Sequence, residues 1–167
     1  MIIEKGKDGL DIYQYAYPII KQIGSEIQTA EAPLDVKQPI KDYFILASSP
    51  ECHYFNDNYG KSLFTMGCQI GETIVKYDQY FSDISAEDTF TNLANHSDIA
   101  DSSADEWRDA NNPDVMLGRV LFYTDKAGGV GIFWTVYRGG LSGWVYNSNG
   151  DQSALREFWR QTAAAHN

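Results

Sequence analysis

The sequence predicts one α+β domain over residues 1–167, with an antiparallel sheet of about five or six strands, N- and C-terminal helices and a short helical acidic insert. Three observations carry this prediction. Aromatic and β-branched runs follow one another between glycine turns over residues 115–146. Apolar stripes at helical spacing lie near both ends of the chain. A length of 167 residues with 43% hydrophobic content suits a single core.

The first element is a helix carried by Ile12, Ala16, Ile20, Ile23 and Ile27, with Asp8 or Asp11 as its cap. Pro18 either kinks this helix or marks its start. Residues 29–39, with Pro33 and Pro39, read as an extended linker. Asp42–Ser48 then reads as a short strand stopped by Ser49-Pro50, and Cys52–Phe55 as a second one. Asn56–Gly60 is dense in turn formers. Ser62–Tyr77 is long and β-tolerant, with a bulge or bend expected at Gly67 and Gly71.

Two capping boxes follow. Ser85-Ala86-Glu87-Asp88 opens a helix towards Asn95, and Ser103-Ala104-Asp105-Glu106 opens another that runs to Ala110 and stops at Asn111-Asn112-Pro113. Val115–Thr124, Val130–Tyr137 and Ser142–Tyr146 form an antiparallel meander, split by Asp125–Gly129 and Arg138-Gly139-Gly140. Leu155, Phe158, Trp159 and Thr162 then give a C-terminal helix the apolar stripe that packs on the sheet.

Charge is concentrated rather than scattered. Between Asp78 and Asp114 stand ten acids and a single fixed cation, Arg108, so this stretch holds −9 of the formal −10. Helix N-termini account for Glu87, Asp88, Asp105 and Glu106 by favouring anions. Asp78, Asp83, Asp98, Asp101, Asp109 and Asp114 have no such reason. Like charges gathered together cost folding energy and attract basic partners while repelling nucleic acid and anionic membrane.

Catalytic and metal patterns are weak. Cys52, His53, Cys68 and His96 have no zinc-site spacing, and residues 98–105 lack the alternation and glycine of a calcium loop. Tyr59-Gly60-Lys61-Ser62 lacks the leading glycine of a phosphate loop, where Phe55 stands instead. His96 reads as a surface residue, and His166 as tail. Cys52 and Cys68 read as buried or free thiols before a cross-strand bridge. No apolar segment follows a basic start, and no run approaches the ~18 residues of a membrane span. The expectation is a cytoplasmic protein without metal or cofactor.

These readings lead to a non-catalytic acidic binding protein, of inhibitor or immunity (antitoxin) type. It masks a basic surface of a toxin, nuclease or nucleic-acid-binding protein and does not itself contact nucleic acid or membrane. Asp98, Asp101, Asp105, Glu106 and Asp109 supply the charge, and Trp107 supplies the anchor. Two other classes compete. One is a chaperone-like or scaffold homodimer using an aromatic sheet face. The other is a small enzyme with a pocket in the curved sheet, using His53, His96 or Cys52.

Overall fold

The computed structural model describes residues 34–55, 62–80, 82–137 and 139–167. The expected helix over Ile12–Ile27 and the Asn56–Gly60 turn lie outside them. The elements are α1 (Leu34–Tyr43), β1 (Cys52–Phe55), β2 (Phe64–Ile70), β3 (Thr73–Gln79), α2 (Asp83–Ala94), β4 (Ile99–Arg108), β5 (Met116–Asp125), β6 (Val130–Val136), β7 (Leu141–Asn147) and α3 (Gln152–Phe158). The strands form one antiparallel sheet in the order β1-β2-β3-β7-β6-β5-β4. The α+β class is as expected, with seven strands in place of about five or six.

Three local differences produce the new count. Ser62–Tyr77 is a hairpin rather than one bent strand, because Gly71 reverses the chain at φ 60°, a conformation a Cβ disfavours. Asp42–Ser48 is not a strand. Ile40, Phe44 and Ala47 are all buried and fall at i, i+4 and i+7, so α1 runs on into a 3-10 turn over Ile45–Ser48. The same helix replaces the second half of the expected linker and holds Pro39, whose missing amide removes one helical hydrogen bond.

The third difference is the largest. The expected helix from Ser103 is instead the middle of strand β4. Serine and aspartate are poor helix formers, and a helix this short is marginal in water. Pairing with β5 runs from Ile99↔Asp125 to Arg108↔Met116 and satisfies the outer edge of that long aromatic strand. The ladder therefore outweighs the local capping signal.

The other acidic helix is present as α2. It starts three residues earlier than its box implies, with Ser82 as N-cap accepting from the Ser85 amide at 3.4 Å. The meander stands as expected. Asp151 caps α3 by accepting from the Ala154 amide at 2.9 Å, and a wider π turn over Trp159–Ala163 extends it.

Alternation sorts the side chains into three layers. Tyr77, Val120 and Trp134 face α1 and α3, where Phe44 stacks on Tyr77 at 4.2 Å and Trp134 meets Trp159 edge-on at 5.9 Å. Leu121, Tyr123, Phe133 and Trp144 face the other way, towards Phe90 and Leu93 of α2. Both aromatic faces of the meander are thus buried.

Cys52 stands opposite Cys68 in the β1–β2 register, and the two form a disulfide. The free-thiol expectation is corrected: register, invisible in the spacing, brings the sulfurs together. The bridge ties the four-residue β1 to the sheet. Replacing both cysteines with alanine is expected to lower the unfolding free energy by about 3 kcal/mol, from the entropy of the loop it closes. A denaturant midpoint measured with and without reductant checks this. An unchanged midpoint would mean that β1 holds without the bridge.

Candidate protein-binding edge

Strand β4 is hydrogen-bonded to β5 and, among the described residues, to nothing on its other side. Residues Ala100 to Glu106 are all exposed. The direction of the backbone groups follows from one contact. Arg119, opposite Glu106, turns its amide away from β4 and donates to Thr135 Oγ1 at 3.2 Å. Alternation along an antiparallel ladder then turns the backbone groups of Glu106, Ala104 and Ser102 outward. The Glu106 amide is held by its neighbour Asp105, whose Oδ1 accepts from it at 2.8 Å. Ser102 and Ala104 are left with small side chains and outward backbone donors and acceptors.

The side chains divide by parity. Asp101, Ser103 and Asp105 share a face with Trp107, while Ser102, Ala104 and Glu106 share the other. Asp101 and Asp105 are exposed and make no ion pair among the described residues. Glu106 binds Arg108, whose Nε donates to its Oε2 at 3.0 Å. Asp98 lies in the turn before the strand, with Oδ2 3.6 Å from His96 Nδ1. Asp109 follows the strand and accepts from the Asn111 amide at 2.8 Å.

The block over residues 78–114 is therefore not one acidic face. Asp78 is buried in an ion pair with Lys76 at 3.3 Å and accepts from Thr65 Oγ1. Glu87 reaches across to Arg119 at 2.9 Å. What stands outward on β4 is a narrower feature: Asp101 and Asp105 bracket the strand edge, with Glu106 paired to Arg108 and with Asp88 and Asp114 exposed elsewhere in the block.

Trp107 is not a free anchor. It is 9% exposed, with its ring 6.3 Å from Trp159 and edge-on to His166 at 5.7 Å. Odd positions of β4 face the layer of the C-terminal segment, and the largest side chain is buried there. The alternative catalytic residues do not converge. Cys52 is in the disulfide and His53 sits on β1, at the edge opposite β4. His96 is not on the surface, being 4% exposed, and its Nδ1 accepts from the Asp98 amide at 3.2 Å. Among the described residues, no three His, Cys, Asp or Glu side chains form a metal-sized group, and no helix is long and apolar enough to cross a membrane.

Two hollows of about 400 and about 470 Å³ open where β4 ends, and both are lined by Asp109 and His166. The C-terminal residues build their shared wall. His166 bridges to Phe44, the Asn167 amide donates to Tyr43 O at 3.0 Å, and the His166 ring stacks on Tyr43 at 5.0 Å. The Tyr43 hydroxyl is buried and has no hydrogen-bond partner among the described residues. Burial pushes its pKa up to about 12, and the Asp109 carboxylate adds to the shift. Neither Tyr43 nor His166 stands out in the sequence, because only the folded tail brings them to Asp109.

Comparison with known proteins gives no match to a family model, a curated protein or a solved structure.

Proposed function

We propose that the chain is a non-catalytic binding protein, of inhibitor or immunity type, that docks its β4 edge on a basic surface of a toxin, nuclease or other nucleic-acid-binding protein. The observation that carries this reading is the ten-residue edge strand whose Ala100–Glu106 stretch is wholly exposed and bears Asp101 and Asp105, which make no ion pair among the described residues. A bare edge is a template for another strand. Two copies of β4 laid together would oppose aspartates, and like charges across a ladder destabilise it. The edge therefore selects against its own kind and in favour of a segment carrying lysine or arginine. The same charge speeds encounter with such a partner.

The homodimer alternative is less favoured, because the aromatic face it needs is buried. The disulfide also bears on where a partner is met. Such bonds persist in oxidising surroundings, so this reading favours an oxidising compartment over the cytoplasmic one expected from the sequence.

Association with a short peptide of alternating lysine and valine tests the reading. Asp101→Asn/Asp105→Asn/Glu106→Gln is expected to slow association about tenfold at low salt and to flatten its dependence on ionic strength. Rates equal to those of the unaltered chain, and insensitive to salt in both, would contradict it.

A further inference from the structure

We infer that the larger hollow at the end of β4 receives a lysine or arginine side chain of the basic partner. This inference rests on β4 being the docking edge and adds the chemistry of its anchoring point. The hollow, about 470 Å³, is lined by Asp109, the first residue beyond the strand, which places it next to the end of the docking edge.

Its lining suits a cation on a hydrocarbon stem and fits neither a plain ion nor a plain apolar group. Val115, Met116 and Leu117 supply apolar wall. Lysine and arginine bury such stems while keeping the charged head at a polar site. Tyr43 and Tyr137 also line the hollow, and tyrosine ring faces attract ammonium and guanidinium groups. Asp109 supplies the counter-charge. The carboxylate makes no ion pair among the described residues, and its recorded hydrogen bond, to the Asn111 amide, uses Oδ1 alone. The Tyr43 hydroxyl, buried on this wall without a partner among the described residues, is an acceptor that a guanidinium or ammonium hydrogen satisfies. An unsatisfied group of this kind costs free energy until something binds it. His166 and Tyr137 are the other titratable side chains on the lining, and the His166 ring is stacked flat on Tyr43.

The test is a methyl and aromatic NMR titration with Nα-acetylarginine amide, set against Nα-acetylcitrulline amide, which has nearly the same shape but no charge. Only the arginine probe is expected to shift the Met116 methyl and the Tyr43 ring. Asp109→Asn is expected to weaken it about tenfold, whereas Asp88→Asn, an exposed charge on α2, leaves it unchanged. The arginine–citrulline comparison uses the unaltered chain, so it stands even if Asp109→Asn folds poorly. Equal shifts with both probes would make the hollow a simple apolar cleft and overturn the inference. No shifts with either at high millimolar concentration would overturn it too. If the arginine probe fails while the lysine–valine peptide still binds β4, the anchoring point alone falls. If the probe binds and the peptide does not, the docking edge falls and the cation site stands.

Discussion

Gly118→Ala is expected to lower the unfolding free energy by at least about 4 kcal/mol, a large share of the stability of a typical domain. A Cβ added at Gly118 would lie 1.7 Å from the carbonyl oxygen of Thr135 and 2.7 Å from its carbon. Those are backbone atoms of β6, and a paired strand cannot step aside as a side-chain tip can. Gly118 also stands opposite Trp107 in the β4–β5 register, so the clash would loosen the edge strand where it enters the core. Gly128→Ala is the control. It has φ 89° but nothing within 4 Å of the added carbon, so its cost is backbone strain of about 1 kcal/mol. Thermal or denaturant unfolding separates the two. Near-equal losses would mean that β5 and β6 shift apart more easily than their pairing suggests.

Asp125→Ala is expected to cost about 4 kcal/mol, because one buried carboxylate serves at least three donors among the described residues. Its Oδ1 accepts from the amides of Ala127 at 3.0 Å and Gly129 at 2.8 Å, and its Oδ2 accepts from the Tyr146 hydroxyl. Alanine would leave the buried Gly129 amide without this acceptor and would remove the one that the Tyr146 hydroxyl uses. Asp125→Asn keeps an acceptor for the turn amides and lets the Tyr146 hydroxyl rotate to accept, so it is expected to lose clearly less. The carboxylate closes the β5–β6 hairpin that faces the start of β4, where the Lys126 amide donates to Asp98 O at 2.9 Å. Equal losses from both substitutions would show that charge, and not the set of acceptors, holds the turn.

These two constraints sit at opposite ends of β4, and they show why that strand was hidden in the sequence. The meander could be read because its aromatic runs and glycine turns are local signals. Helix α2 could be read because a capping box is a local signal as well. In β4, Ser103-Ala104-Asp105-Glu106 carries the local code of a helix start. What decides its conformation is the unmet edge of β5, whose register with β4 no short window contains. The same limit hid the disulfide: β1 was visible, but Cys68 lies opposite Cys52 only in the β1–β2 register, which the spacing does not contain. Of the residues expected to bind a partner, Asp101 and Asp105 lie exposed, without an ion pair among the described residues. Trp107 does not, because strand parity buries it.

The hollow beside Asp109 was out of reach for a different reason. Its walls come from α1, from the ends of β5 and β6 and from the last residues of the chain. Only Asp109 carried a signal, its charge, and charge alone does not reveal a concave surface.

The outward amides of β4 give the most direct measurement. Hydrogen exchange at Ser102 and Ala104 is expected to slow at least about tenfold when the alternating lysine–valine peptide is added, and to stay unchanged with a glutamate–valine peptide of the same length. Exchange at both amides that remains fast with the basic peptide, or slows equally with the acidic one, would contradict the claim that this edge is built to take up a positively charged strand.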